Sequence, residues 1–238
     1  MSGHSKWATT KHKKAAADAK RGNLFTKLSK NISVAARAGA DPNFNFSLRL
    51  AIDKAKEANM PKDKIELAVQ RGAGGAEGVV LEEVLYEAFG PSGSALLISG
   101  VTGNKNRTTS EIKAILGKNN GTFGAQNSVK WMFERKGVIY LTADQVKNKD
   151  EFMLELLEMG ADDVVEDDGG LTLFCSFANF EKVKKQLEAK GLKLEYAEME
   201  WVAKDKVPAS DEGRTQVERL IELLEEHDDV NAVYANVV

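Results

Sequence analysis

Cysteine is nearly absent from this 238-residue chain: Cys175 is the single one, so an internal disulfide, a CxxC pair and a thiolate zinc site are all excluded. Histidine is scarce as well, with His4, His12 and His227 alone, and no HExxH pair occurs. No Gly-x-Ser-x-Gly elbow is present, and Gly117-Lys118 lacks both the upstream glycine and the following Ser/Thr of a phosphate-binding loop. Acyl transfer, zinc hydrolysis and nucleotide hydrolysis therefore have no residues to stand on, and the expectation is a non-enzyme with no cofactor, no metal and no small-molecule substrate. No apolar run approaches the roughly 18 residues of a membrane span, and the basic start is not followed by the apolar segment of a secretory signal. A cytoplasmic protein without a membrane partner or a transit sequence is expected.

What the chain has is segregated charge. The total is −3, yet Lys6, Lys11, Lys13, Lys14, Lys20, Arg21, Lys27 and Lys30 face Asp18 alone within the first thirty residues. Residues 1–75 hold fifteen Lys/Arg against six Asp/Glu, and the remainder reverses the sign with eighteen against thirty. Such a split speaks of partners: the basic end suits an anion, and the acidic remainder orients it by repulsion. Closely spaced phosphates are the natural match, because each Lys/Arg contact releases counterions and needs no sequence readout.

Periodicity divides the chain further. Leu24, Leu28 and Ile32 stand at i, i+4, i+8 with Phe25 beside them; Leu48, Ile52 and Ala55 mark a second helix; Pro61 opens a third carrying Ile65, Ala68 and Val69, which Gly72 ends. Glycines 72, 74, 75 and 78 read as a linker. Beyond them Val84–Phe89 and Ala95–Val101 form a hairpin about Gly90-Pro91-Ser92-Gly93, a helix runs from Arg107 to Lys118, and Ser128–Phe133 reads as a strand. Next come strand 138–141, helix 145–159 capped by Thr142 and Gln145, strands 162–166 and 171–176, helix 179–190 and strand 192–201, the split βαβ order of ferredoxin-like folds. A helix with Val217, Leu220, Ile221 and Leu224 and a strand from Ala232 remain, too little to fold alone.

The expected fold is α+β: a basic helical bundle followed by two small α/β domains, the last ferredoxin-like and inserted into the middle one. The domains are residues 1–75, residues 79–136 plus 204–238, and residues 137–203.

The motifs Gly3–Lys14 (GHSKWATTKHKK), Arg71–Gly75 (RGAGG), Tyr86–Gly93 (YEAFGPSG), Asn104–Thr108 (NKNRT) and Trp131–Gly137 (WMFERKG) resemble the YebC/PmpR family over nearly the whole chain. The resemblance implies a three-domain architecture and a DNA-binding transcriptional regulator. Relatives similar to the mitochondrial translational activator of cytochrome c oxidase imply the alternative, a ribosome-associated translation factor using the same arm on ribosomal RNA.

Candidate nucleic-acid contacts are Lys6, Trp7, Lys11, His12, Lys13, Lys14, Lys20, Arg21, Lys27, Lys30 and Arg71. Trp7 either stacks on an unpaired base or anchors the arm to its own domain. Asn104, Lys105, Asn106 and Arg107, between a strand and a helix start, form a candidate second contact surface or an ordinary helix cap with solvated cations. No row of Arg, Asn and Gln for reading base edges stands out.

Overall fold

The computed structural model describes residues 21–74, 80–146, 148–167 and 169–237. Its elements run α1 (Arg21–Ala35), α2 (Phe46–Glu57), α3 (Lys62–Gly72), β1 (Glu82–Phe89), β2 (Ala95–Thr102), α4 (Lys105–Lys118), β3 (Thr122–Phe123), β4 (Phe133–Thr142), α5 (Lys149–Met159), β5 (Asp163–Asp167), β6 (Gly170–Cys175), α6 (Phe177–Ala189), β7 (Tyr196–Ala203), α7 (Asp211–Glu225) and β8 (Val230–Ala235). Helix and strand are mixed, with strands gathered into two antiparallel sheets.

The three leading helices bury Leu28, Ile32, Ala36, Leu48, Ala55, Ile65 and Ala68 against one another. Leu24, expected in that row, is 40 % exposed, and Phe25 packs there in its place. Asn45 starts α2 by accepting the Leu48 N–H at 3.1 Å, the usual way a short polar side chain satisfies an orphan helix donor. Gly72 closes α3 against α1: a Cβ there would lie 2.1 Å from the Ser33 carbonyl oxygen and 2.7 Å from the Ala36 Cβ. The glycine is needed for close helix approach. Of the predicted linker, residues 75–79 lie outside the described residues.

The first sheet has the order β3-β1-β2-β8. Its hairpin pairs from Glu82↔Thr102 to Phe89↔Ala95, closing through Ser92 and Gly93 with φ of 59° and 72°. The last strand of the chain completes the sheet at the β2 edge. One face buries Leu96, Ile98 and Val233 beneath Ile112 and Leu116 of α4 and Val217, Leu220 and Leu224 of α7. The second sheet has the order β5-β6-β4-β7, with α5 and α6 packed on Ile139, Leu141, Leu171 and Leu173. That is the split βαβ arrangement.

Two local expectations fail for identifiable reasons. Ser128–Phe133 is not a strand: the buried Glu87 carboxylate accepts the backbone N–H groups of Asn127 (2.6 Å), Val129 (2.7 Å) and Lys130 (2.8 Å), curling the chain into a 3-10 turn at Lys130–Met132. The strand begins only at Phe133. Thr142 and Gln145 bond to each other at 2.9 Å but cap no α-helix, because Gln145 also grips the Lys193 backbone through both ends of its amide. Helix α5 starts four residues later, at Lys149.

The helical unit touches both sheets. Phe46 of α2 meets Phe177 of α6 edge-on at 5.9 Å, Lys54 lies 2.6 Å from Glu198, and Arg49 is 3.7 Å from Glu181. Between the sheets, Ala95, Leu97, Val129 and Phe133 form a further buried cluster with Trp201 and Tyr234.

Candidate nucleic-acid interface

Of the predicted contacts, Lys6, Trp7, Lys11, His12, Lys13, Lys14 and Lys20 lie outside the described residues, as does the side chain of Arg21. Arg21 begins α1.

Lys27 and Lys30 share one face of α1, three residues apart, and that face lies on the first sheet's unit. Lys27 Nζ donates to the Glu225 carbonyl at 2.5 Å, and Asn23 Nδ2 donates to that of Glu226 at 3.1 Å. Both carbonyls belong to the C-terminal end of α7, where unpaired carbonyls and the negative dipole end favour a cation. Lys30 Nζ donates to the Asp228 carbonyl at 3.0 Å and to Asp229 Oδ1 at 2.6 Å.

Asp229 is the centre of this joint. Its side chain is 1 % exposed and its Oδ2 accepts from Arg107 Nη2 (2.8 Å), Thr108 Oγ1 (2.7 Å) and Thr102 Oγ1 (3.1 Å). Burial works against its charge, yet the bonds from Lys30, Thr108 and Arg107 outweigh burial and hold the carboxyl well below the usual carboxylate range. Nothing in the sequence singles out Asp229, since it ends an acidic stretch, Glu225 to Asp229, that reads as solvated surface.

The predicted second surface is the N-terminus of α4. Asn104 accepts the Arg107 N–H at 3.1 Å and so caps the helix. Lys105 is ion-paired with Glu82, Arg107 reaches Asp229 and lies 3.7 Å from Glu111, and Asn106 is exposed. The hydrogen bond and charge of Lys105 lower the Glu82 pKa, and Arg37 of the helical unit adds to the effect. Arg71 is exposed on the last turn of α3, next to the Gly72 contact with Ser33 and Ala36, so Arg37 and Arg71 occupy the same end of the bundle. Arg37 was not among the expected contacts; its position just past the end of α1 is the signal that marks it.

Elsewhere the chemistry is quiet. The buried Cys175 thiol is pushed up to about 12 by burial, with Asp162 adding to it. Glu87, although buried, is held below its usual value by its three backbone donors. Lys136 is 3.6 Å from Asp162, Lys149 pairs with Glu166, and among the described residues no group of three or more His, Cys, Asp or Glu is placed to hold a metal. No helix among the described residues is long and apolar enough to cross a membrane.

Two family models match consecutive parts of the chain: the TACO1/YebC protein N-terminal domain over residues 5–75 and the TACO1/YebC second and third domain over residues 81–237. A "probable transcriptional regulatory protein" of Halothermothrix orenii is 48 % identical over 239 residues, covering 99 % of this chain and 94 % of that protein. Its namesake in Dictyoglomus thermophilum is 48 % identical over 237 residues, covering 99 % and 95 %. The crystal structure of a conserved hypothetical protein from Aquifex aeolicus superposes with a TM-score of 0.87 at 41 % identity, covering 98 % of this chain and 96 % of that one. With both family models matched in order along nearly its full length, this chain belongs to the TACO1/YebC family.

Proposed function

We propose that this protein is a non-enzymatic, nucleic-acid-binding regulator of gene expression that grips DNA phosphates with its basic arm and helical domain. The observation that carries the reading is the charge split: fifteen cations against six carboxylates in residues 1–75, and an acidic remainder. Arg37 and Arg71, exposed at one end of the bundle, add described cations to this count. The relatives named as probable transcriptional regulatory proteins agree with it. The domains at residues 1–75, 79–136 plus 204–238, and 137–203 then divide the work, the first on phosphate and the other two on partner contacts.

Lys27 and Lys30 act in this reading as joint residues that aim the bundle, and Lys105 and Arg107 contribute the outer edge of the binding face.

A second reading, a ribosome-associated factor on structured RNA, is favoured by one feature. Among the described residues the bundle leaves no helix free to read base edges: α1 and α2 each spend a face on a neighbouring unit, and the exposed side of α3 mixes its cations with Asp63 and Glu66, with Lys62 3.5 Å from Glu66. Recognition by phosphate and shape suffices for RNA.

The test is binding to labelled duplex DNA at two salt concentrations, with Lys11, Lys13, Lys14 and Lys20 replaced by Glu as control. Salt-sensitive binding, with Kd of about 10⁻⁴ to 10⁻⁶ M for non-specific duplex at physiological salt, lost in the variant while its circular dichroism stays unchanged, is the expected result. Retained affinity in the variant rules out the arm. Sedimentation with ribosomes that survives excess competing DNA moves the assignment to the second reading.

A further inference from the structure

Phe44 is 92 % exposed, more than any other large apolar side chain among the described residues. The ring keeps in water an apolar face large enough to stack against a partner. The backbone that carries the ring is held on both sides. Asn45, its neighbour, donates through Nδ2 to the carbonyls of Ala35 (2.8 Å) and Gly39 (2.7 Å) while capping α2 with its Oδ1. Asp41 Oδ1 accepts from Asn43 N at 2.8 Å and Asn43 Nδ2 at 2.9 Å, the Phe44 N–H donates to the Asp41 carbonyl at 3.2 Å, and Arg49 Nη1 holds the Pro42 carbonyl at 3.2 Å. The turn is bonded on both sides and presents the ring outward.

The surroundings identify what the ring meets. The exposed residues before it in the chain are Arg37, Ala38, Gly39, Ala40, Asp41 and Asn43, with no second large apolar side chain among them, and the unit as a whole is the cationic one. A protein groove is matched by clustered apolar side chains, whereas a single aromatic amid polar and cationic groups is the arrangement that stacks on a base while cations hold the flanking phosphates. Stacked base pairs inside a duplex offer no free face, so the partner must carry an unstacked base.

We infer that Phe44 is a stacking platform for an unpaired nucleobase, with Arg37 on the adjacent phosphate; the inference rests on the nucleic-acid reading above and narrows its target to strands with a looped, bulged or single-stranded base. The ligand class is thereby a nucleic acid with at least one extruded base, not an uninterrupted duplex.

The experiment compares a short fluorescein-labelled duplex with the same duplex carrying one bulged adenine, by anisotropy, using the full chain. The wild type is expected to prefer the bulged duplex, Phe44→Ala to lose about tenfold on it and nothing on the perfect duplex, and Phe44→Tyr to keep the preference. Because the side chain is exposed, thermal unfolding of all three should coincide. Equal affinity of the wild type for both duplexes, or a preference that survives Phe44→Ala, overturns the stacking role while leaving phosphate binding intact. Binding of the wild type to neither duplex overturns the nucleic-acid reading together with this one.

Discussion

The Lys30 ammonium lies 2.6 Å from the Asp229 carboxylate, although 199 positions separate the two in the chain. One buried carboxylate takes a cation from the helical unit on one oxygen and Arg107 with two threonine hydroxyls on the other. Asp229→Ala removes the shared acceptor and leaves both cations without the charge between them. A loss of about 1–3 kcal/mol is expected from leaving the buried Thr102 and Thr108 hydroxyls without their acceptor, the two cations being reached by water, and it is read as a lowered urea midpoint. A midpoint equal to that of the wild type means the joint contributes nothing.

The same carboxyl sets a pH dependence. Its folded pKa lies below the unfolded value of about 3.9, so the unfolded chain takes up the proton first as pH falls. The stabilisation is fully present above the unfolded value and is lost progressively below about pH 4. Asp229→Asn should flatten this part of the acid profile. Parallel wild-type and Asp229→Asn stabilities between neutral pH and the acid limb would contradict it.

Glu87 organises the turn before β4 by collecting three backbone donors from a buried position. Glu87→Ala orphans all three and should cost about 3 kcal/mol, with faster hydrogen exchange at Asn127, Val129 and Lys130. Glu87→Gln, retaining one carbonyl acceptor, should fall between. Unchanged exchange at those amides in the alanine variant would show that the turn holds itself.

Gly72→Ala places a methyl group 2.1 Å from the Ser33 carbonyl oxygen, a backbone atom that has no rotamer to escape into. Separation of α1 from α3 at a cost of about 1–3 kcal/mol follows, measured as loss of helical signal at lower temperature. A variant as stable as the wild type would return Gly72 to a simple linker role.

Elements whose cause is local were legible in the sequence. The spacing of Leu28 and Ile32, of Ile65 and Ala68, and the alternation about Gly90-Pro91-Ser92-Gly93 each specify an element from neighbouring residues alone. What escaped was decided at a distance. Glu87 bends residues some forty positions later, Gln145 prefers the Lys193 backbone to capping a helix, and Lys27 and Lys30 are joined to the far end of the chain. Charge counting marks the basic end, but it gives every cation equal standing. It cannot tell Arg37 and Arg71, which face outward, from Lys30, which is spent on Asp229.

The pairing of β8 with the β2 edge has a consequence for the order in which a growing chain assembles. The helices before Gly72 and the strands from Phe133 to Ala203 have their partners at hand early, whereas the β1–β2 hairpin waits with an open edge until β8 has been made. The carbonyls of Glu225 and Glu226 and the Asp229 carboxylate arrive in that same late stretch, so the bundle's contacts with the second sheet's unit can form before its joint to the first. A chain truncated before Glu225 would keep the bundle on the second sheet's unit through Phe46 and Lys54 but lose its joint to the first, and the stretch from Glu225 through β8 thereby acts as the closing stitch between them.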